Sequence, residues 1–124
     1  MSLTDGQQAL IDILRAGSSI NVRYPSGPGV GLPRYVVKEA GGSQRTATIK
    51  SRTEANPEIL VTVEVEAGEY ATESNMHVKA LRTIFAPGQH TGVRIIDAPL
   101  PRPPLPVTDG VYSVPVIVRG RTYF

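Results

Sequence analysis

The chain has 124 residues, a formal net charge of +2, no cysteine and no tryptophan. That length makes a single domain with an aliphatic interior, small enough that contacts with other copies would add to its stability, and the lack of cysteine excludes a disulfide framework or a thiolate metal site. No apolar run approaches the ~18 residues of a membrane span, and the N-terminus lacks the basic and apolar regions of a signal peptide, so the expectation is a protein made and kept in the cytosol with no membrane partner.

The first predicted element is a helix over 2–16. Leu3, Leu10, Ile13 and Leu14 fall on one narrow face, Gln8, Asp12 and Arg15 fall opposite, Thr4 and Gln7 have capping-box spacing, and Gly17 stops the helix. A strand follows over 19–24, with Ile20, Val22 and Tyr24 alternating until Pro25 ends it. The Gly/Pro segment 26–33 is a loop. Phosphate cradling would require it to open a helix and end in Gly-Lys-Ser/Thr, and it does neither. Residues 34–39 and 44–53 read as a hairpin turning at Ala40-Gly41-Gly42-Ser43, with a second turn at Asn56-Pro57. On that reading, if Ile49 shares a face with Val63, Lys50 and Arg52 lie beside Glu64 on the wet side.

The stretch 58–85 carries the strongest signal. Ile59, Val61, Val63 and Val65 alternate with Thr62, Glu64 and Glu66, the period of a half-buried strand. Gly68 breaks the strand and Thr72 is a candidate cap. A helix over about 72–85 then follows, stopped by Pro87-Gly88. Its apolar positions Met76, His77, Val78, Ala80, Leu81, Ile84 and Phe85 sweep roughly 200° at ~100° per residue. A sheet covers only part of that arc, so the rest calls for the first helix or another subunit.

Residues 89–92 read as a turn and 93–97 as a fifth strand. Segment 98–107 holds five prolines, which predicts an extended polyproline arm outside helix and sheet. Asp109-Gly110 turns the chain into a last strand over 111–119, which Pro115 points to an edge or a bulge. The tail ends on Tyr123 and Phe124.

Charge is sorted along the chain. Residues 34–53 carry Arg34, Lys38, Arg45, Lys50 and Arg52 against Glu39, while residues 54–73 carry six glutamates and no Lys or Arg. Two readings stand: neighbouring strands with complementary wet faces, or a dipolar subunit whose basic side meets the acidic side of a copy.

Catalytic chemistry is not visible. His77 and His90 lie far apart in sequence, and His77 falls in the apolar arc of its helix as a structural residue. Asp97 and Asp109 flank the proline arm, where turn roles are the ordinary ones. No aromatic pair on adjacent strands offers a base-stacking platform. The expectation is no enzyme activity, no metal and no cofactor.

Several features together resemble a known family. They are the short N-terminal helix, the Tyr24-Pro25 step into a Gly/Pro loop, the strand-turn-helix of 58–85, and the ending Val93-Arg94-Ile95-Ile96-Asp97-Ala98-Pro99 followed by Asp109-Gly110-Val111-Tyr112-Ser113-Val114-Pro115-Val116. The chain resembles the tail terminator-like proteins of long-tailed phages and phage-derived gene transfer agents. The elements read from the residues themselves predict an α+β fold, a twisted and mostly antiparallel sheet of about five to six strands with two helices packed on one face, and the resemblance adds a role to it. That resemblance implies a structural protein at the head-tail junction of a virion, assembled in the host cytoplasm. Copies would form a ring, typically a hexamer, that caps the tail tube protein, stops its polymerisation and meets a head-completion or stopper protein, with DNA passing through the lumen unread. Another ring component of the junction or tube, and a small enzyme, are the alternatives. Subunit contacts would use Lys50, Arg52, Glu64, Glu66 and Arg94. Partner docking would use Pro28, Leu32, Leu100, Arg102, Leu105, Tyr123 and Phe124.

Overall fold

The computed structural model describes residues 3–25, 27–46, 53–90 and 92–123. Helix α1 spans Leu3–Gly17. Its inward stripe is Gln7, Leu10, Ile11 and Leu14, the i, i+3, i+4, i+7 pattern of a helix lying over the middle of a sheet. Ile11 takes the buried place expected of Ile13, which sits half-buried at the edge of the stripe. The side chains of Leu3 and Thr4 lie outside the described residues.

The strands are β1 (Asn21–Arg23), β2 (Arg34–Thr46), β3 (Thr53–Glu66), β4 (Gly88–His90), β5 (Val93–Ile95), β6 (Leu100–Pro101), β7 (Leu105–Thr108) and β8 (Val111–Tyr123). Among the described residues they make one eight-stranded sheet, ordered β1-β2-β3-β8-β5-β4, with β6 and β7 also on β8. β1 runs parallel to β2 and every other pairing is antiparallel. This is the expected α+β architecture with more strands than five or six, because β4 and the two short strands of the proline segment join the ladder.

Helix α2 spans Asn75–Ile84 and is entered through a 3-10 turn, Ala67–Glu69, and a π-helical turn, Tyr70–Ser74. Thr72 therefore lies inside the π turn and caps nothing. Ser74 holds the N-cap place in right-handed helical backbone and makes no side-chain cap bond, since the chain arrives already coiled. His77, Leu81 and Phe85, spaced i, i+4, i+8, are buried on the sheet.

Both helices cover the same sheet face. Ile59, Val61, Val63 and Val65 are each 0% exposed. They sit in register with Val118, Val116, Val114 and Tyr112 of β8 on one side, while Val61 and Val63 pair with Val37 and Tyr35 of β2 on the other. Leu10, Leu14, Leu81 and Phe85 close the core from above. Gly120 of β8 lets β5 and α1 approach: an added Cβ would stand 2.5 Å from a Val93 methyl and 3.4 Å from Leu10 Cδ2.

Four expectations about the sheet are corrected. The Ala40–Ser43 segment is no hairpin turn but part of β2, where the register shifts between Glu39 and Gly42. Gly42, at φ 125°, supplies the left-handed residue of that bulge. Asn56-Pro57 likewise lies inside β3, with Pro57 opposite Gly42. The two long strands connect through 47–52, so the Ile49, Lys50 and Arg52 expectation falls outside the described residues.

The proline arm joins the sheet. Leu100 pairs with Ile117, Pro101 with Val116 and Leu105 with Ser113, and the Arg102 amide donates to the Pro115 carbonyl at 2.8 Å. An edge strand pairs on one side only, so Pro101 and Pro103, on either side of Arg102, point their donor-less nitrogens outward. Finally, β8 is central, flanked by β3 and by β5, β6 and β7. Pro115 is tolerated there because its polar groups face the interrupted β6–β7 ladder. Asp109 (φ 54°) and Gly110 (φ 73°) form the two-residue turn that the Asp-Gly pair predicts.

Candidate functional site

The helix-free face of the sheet is built from the residues that alternate with the core. On β3 these are Glu54, Asn56, Glu58, Leu60, Thr62 and Glu64, and β2 and β8 place arginines against the carboxylates. Arg34 Nε lies 2.5 Å from Glu64 Oε1, Arg119 Nε 3.2 Å from Glu58, and Arg121 Nε 3.1 Å from Glu54. The sorting of charge along the sequence is thus first a cross-strand pairing, acidic β3 between two arginine-bearing neighbours.

The three pairs differ in what they can contribute. Arg119 and Glu58 are 46% and 32% exposed, so their pairing is solvent-screened. Glu54 is 7% exposed and also accepts from the Tyr123 hydroxyl at 3.3 Å, while Arg121 reaches Asn56 Oδ1 at 3.3 Å. That buried carboxylate ties the end of β8 to the start of β3. Arg34 serves a loop as well as a strand, because its Nη1 donates to the Val30 carbonyl at 2.6 Å.

These contacts place the sequence-predicted residues. Glu64 is engaged by Arg34 of its own chain, since β2 presents its first residue to Glu64 and not its last. Glu66 is exposed at the far end of β3. Arg94 is exposed at the opposite end of the sheet, in register with Arg121, and makes no ion pair among the described residues. The structure therefore separates Glu66 and Arg94 along the strand direction. Lys50, Arg52 and Phe124 lie outside the described residues. Pro28 is exposed and Leu32 half-buried in the loop after β1. Leu100 and Leu105 are both 49% exposed on the arm with Arg102 between them, and Tyr123 is also 49% exposed.

A groove of about 640 Å³ was not legible in the sequence. It runs along α1 beside the last turn of α2 and β4. Ala9, Ile13, Ala16 and Ile84 line it, with Asp5, Asp12 and His90 at its borders. The small residues Ala9, Ala16 and Gly17 on the outward side of α1 were its sequence signal, and they read equally well as ordinary helix surface.

Tyr35 and His77 meet inside the core. His77 stacks edge-on to Tyr35, with ring centres 6.3 Å apart, and its Nε2 is buried without a hydrogen-bond partner. Burial pushes the Tyr35 hydroxyl up to about 12. Among the described residues no three His, Asp or Glu side chains gather where they could hold a metal ion, and no helix is long and apolar enough to cross a membrane.

The fold is that of a small α+β protein with one helix-covered and one open sheet face. No family model matches the chain, and no curated protein matches it. Solved structures do. A chain described as "Virion of native gene transfer agent (GTA) particle" is 18% identical with a TM-score of 0.59, over 99% of this chain and 98% of that one. A second solved structure is 20% identical with a TM-score of 0.59, over 99% of this chain and 94% of its own. At such identities the likeness is one of fold.

Proposed function

We infer that this chain is a structural component of a phage or phage-derived particle, a tail terminator whose copies form a ring on the tail tube. The observation that carries this reading is the match of fold, end to end, to a chain of a gene transfer agent particle. Supporting it are an open sheet face, irregular segments that project side chains the core does not use, and charged groups spent on cross-strand pairing. A ring subunit must meet a copy of itself on each side and different proteins above and below. Basic Arg94 and acidic Glu66, at opposite ends of the sheet, suit head-to-tail contact between copies. The loop 27–33 and the end of β8 at Tyr123 suit the tube below and the head-completion protein above. DNA passes through the ring without sequence recognition.

The test is where the protein sits. Labelled chain in assembled particles should map to one ring at the head-tail junction, and purified chain should sediment as a closed oligomer, a hexamer on this reading. Labelling along the whole tube would make it a tube protein, and labelling on the head side of the ring a stopper. A chain that stays monomeric at high concentration and is absent from particles would end the structural reading.

A further inference from the structure

We propose that the β6–β7 arm of one copy seats in the groove beside α1 of the next, so that two surfaces of the same chain form the subunit contact. This rests on the ring reading above. Leu100, Leu105 and Val107 of the arm are 49%, 49% and 56% exposed, three of the six large apolar side chains so exposed among the described residues. The prolines of the segment strip donors from its outer edge, so the arm cannot template a further strand and must bind through its side chains.

The two surfaces cannot meet within one subunit. Leu100 and Leu105 pair with Ile117 and Ser113, which alternate with the core residues Val114, Val116 and Val118, so the arm presents these leucines on the open sheet face. The groove belongs to the helix layer on the other face. Contact between arm and groove is therefore heterologous, the geometry that closes a ring when the rotation per subunit divides a full turn.

Their chemistry matches. The groove offers an aliphatic floor bordered by Asp5 and by Asp12, whose exposed carboxylate is held only loosely by Arg15 at 3.8 Å on the same helix, and no lysine or arginine lines it among the described residues. The arm offers aliphatic side chains around the exposed cation Arg102. Held on β8 by the Arg102 amide and stiffened by proline, it is already ordered and loses little conformational freedom on docking.

The absence of cysteine makes the test direct. In the full-length chain, the pair Ala16→Cys and Leu105→Cys under mild oxidation should give a non-reducing ladder of linked subunits ending at the ring number. Each single variant should stop at dimers, and Lys79→Cys with Leu105→Cys should give no ladder. An oligomer that forms but never links through positions 16 and 105 overturns the arm-groove contact and leaves the ring standing, whereas a monomer at every concentration overturns both. Charge reversal gives a second readout. Asp12→Arg or Arg102→Glu alone should weaken association about 2- to 5-fold per contact, and the double reversal should restore it. Losses that simply add in the double variant overturn the pairing.

Discussion

The Tyr35 hydroxyl donates to the His77 carbonyl over 2.8 Å, pinning the first turn of α2 to the start of β2. Tyr35 is 1% exposed, so this bond forms where water does not compete. Tyr35→Phe keeps the ring and removes the donor. The expected cost is about 1 kcal/mol, read from chemical denaturation.

The same residue sets an alkaline limit. In the unfolded chain Tyr35 gives up its proton near the ordinary 10.0, while the folded protein holds it to about 12. Its contribution to stability is therefore complete below pH 10 and is lost as pH rises from 10 towards 12. Melting temperatures across pH 8–12 should fall less steeply for Tyr35→Phe than for the parent. Parallel curves would contradict the assignment.

Val63 lies at the centre of the core, 0% exposed, in register with Tyr35 and Val114. Val63→Asp buries an unpaired carboxylate and should cost about 3 kcal/mol or more. A variant that expresses and melts with the parent would contradict the register.

The pairs on the open face should separate by burial. Arg121→Ala removes the cation 3.1 Å from the Glu54 carboxylate, which is 7% exposed and also accepts from the Tyr123 hydroxyl, and should cost about 1–3 kcal/mol with little salt dependence. Arg119→Ala, at a screened pair, should cost about 0.2–1 kcal/mol and less in high salt. Denaturation at low and at high ionic strength distinguishes the two.

Gly120 should admit no side chain. An added Cβ falls 2.5 Å from Val93 Cγ2, so Gly120→Ala must push β5 off β8, at a cost of about 1–3 kcal/mol. Hydrogen exchange should show the amides of 93–95 opening before those of β3.

Much of the fold was legible because its signals are local. The alternation of Ile59, Val61, Val63 and Val65 defines a strand by itself, Leu10 and Leu14 define a helix face, and Asp109-Gly110 defines a turn whatever surrounds it. Residues whose meaning depends on a partner were not legible in this way. Gly41-Gly42 suits a hairpin or a bulge equally, and only the β3 strand lying beside it decides for the bulge. Pro101, Pro103 and Pro115 argue against sheet when read singly, yet an edge needs donors on one side only, and the sheet order alone reveals which side that is.

The candidate surfaces divide in the same way. Composition and spacing by themselves determined a small α+β domain without cysteine chemistry, a basic stretch followed by an acidic strand, and an α2 face wider than one sheet can cover. Tertiary structure decided that Arg34, Arg119 and Arg121 meet the glutamates of β3, that Glu66 and Arg94 lie at opposite ends of the sheet, and that the groove beside α1 opens on the face away from the proline arm. The physical reason is that periodicity encodes which side of an element is apolar, whereas register, sheet order and the packing of one layer on another set which residues of distant segments come within reach.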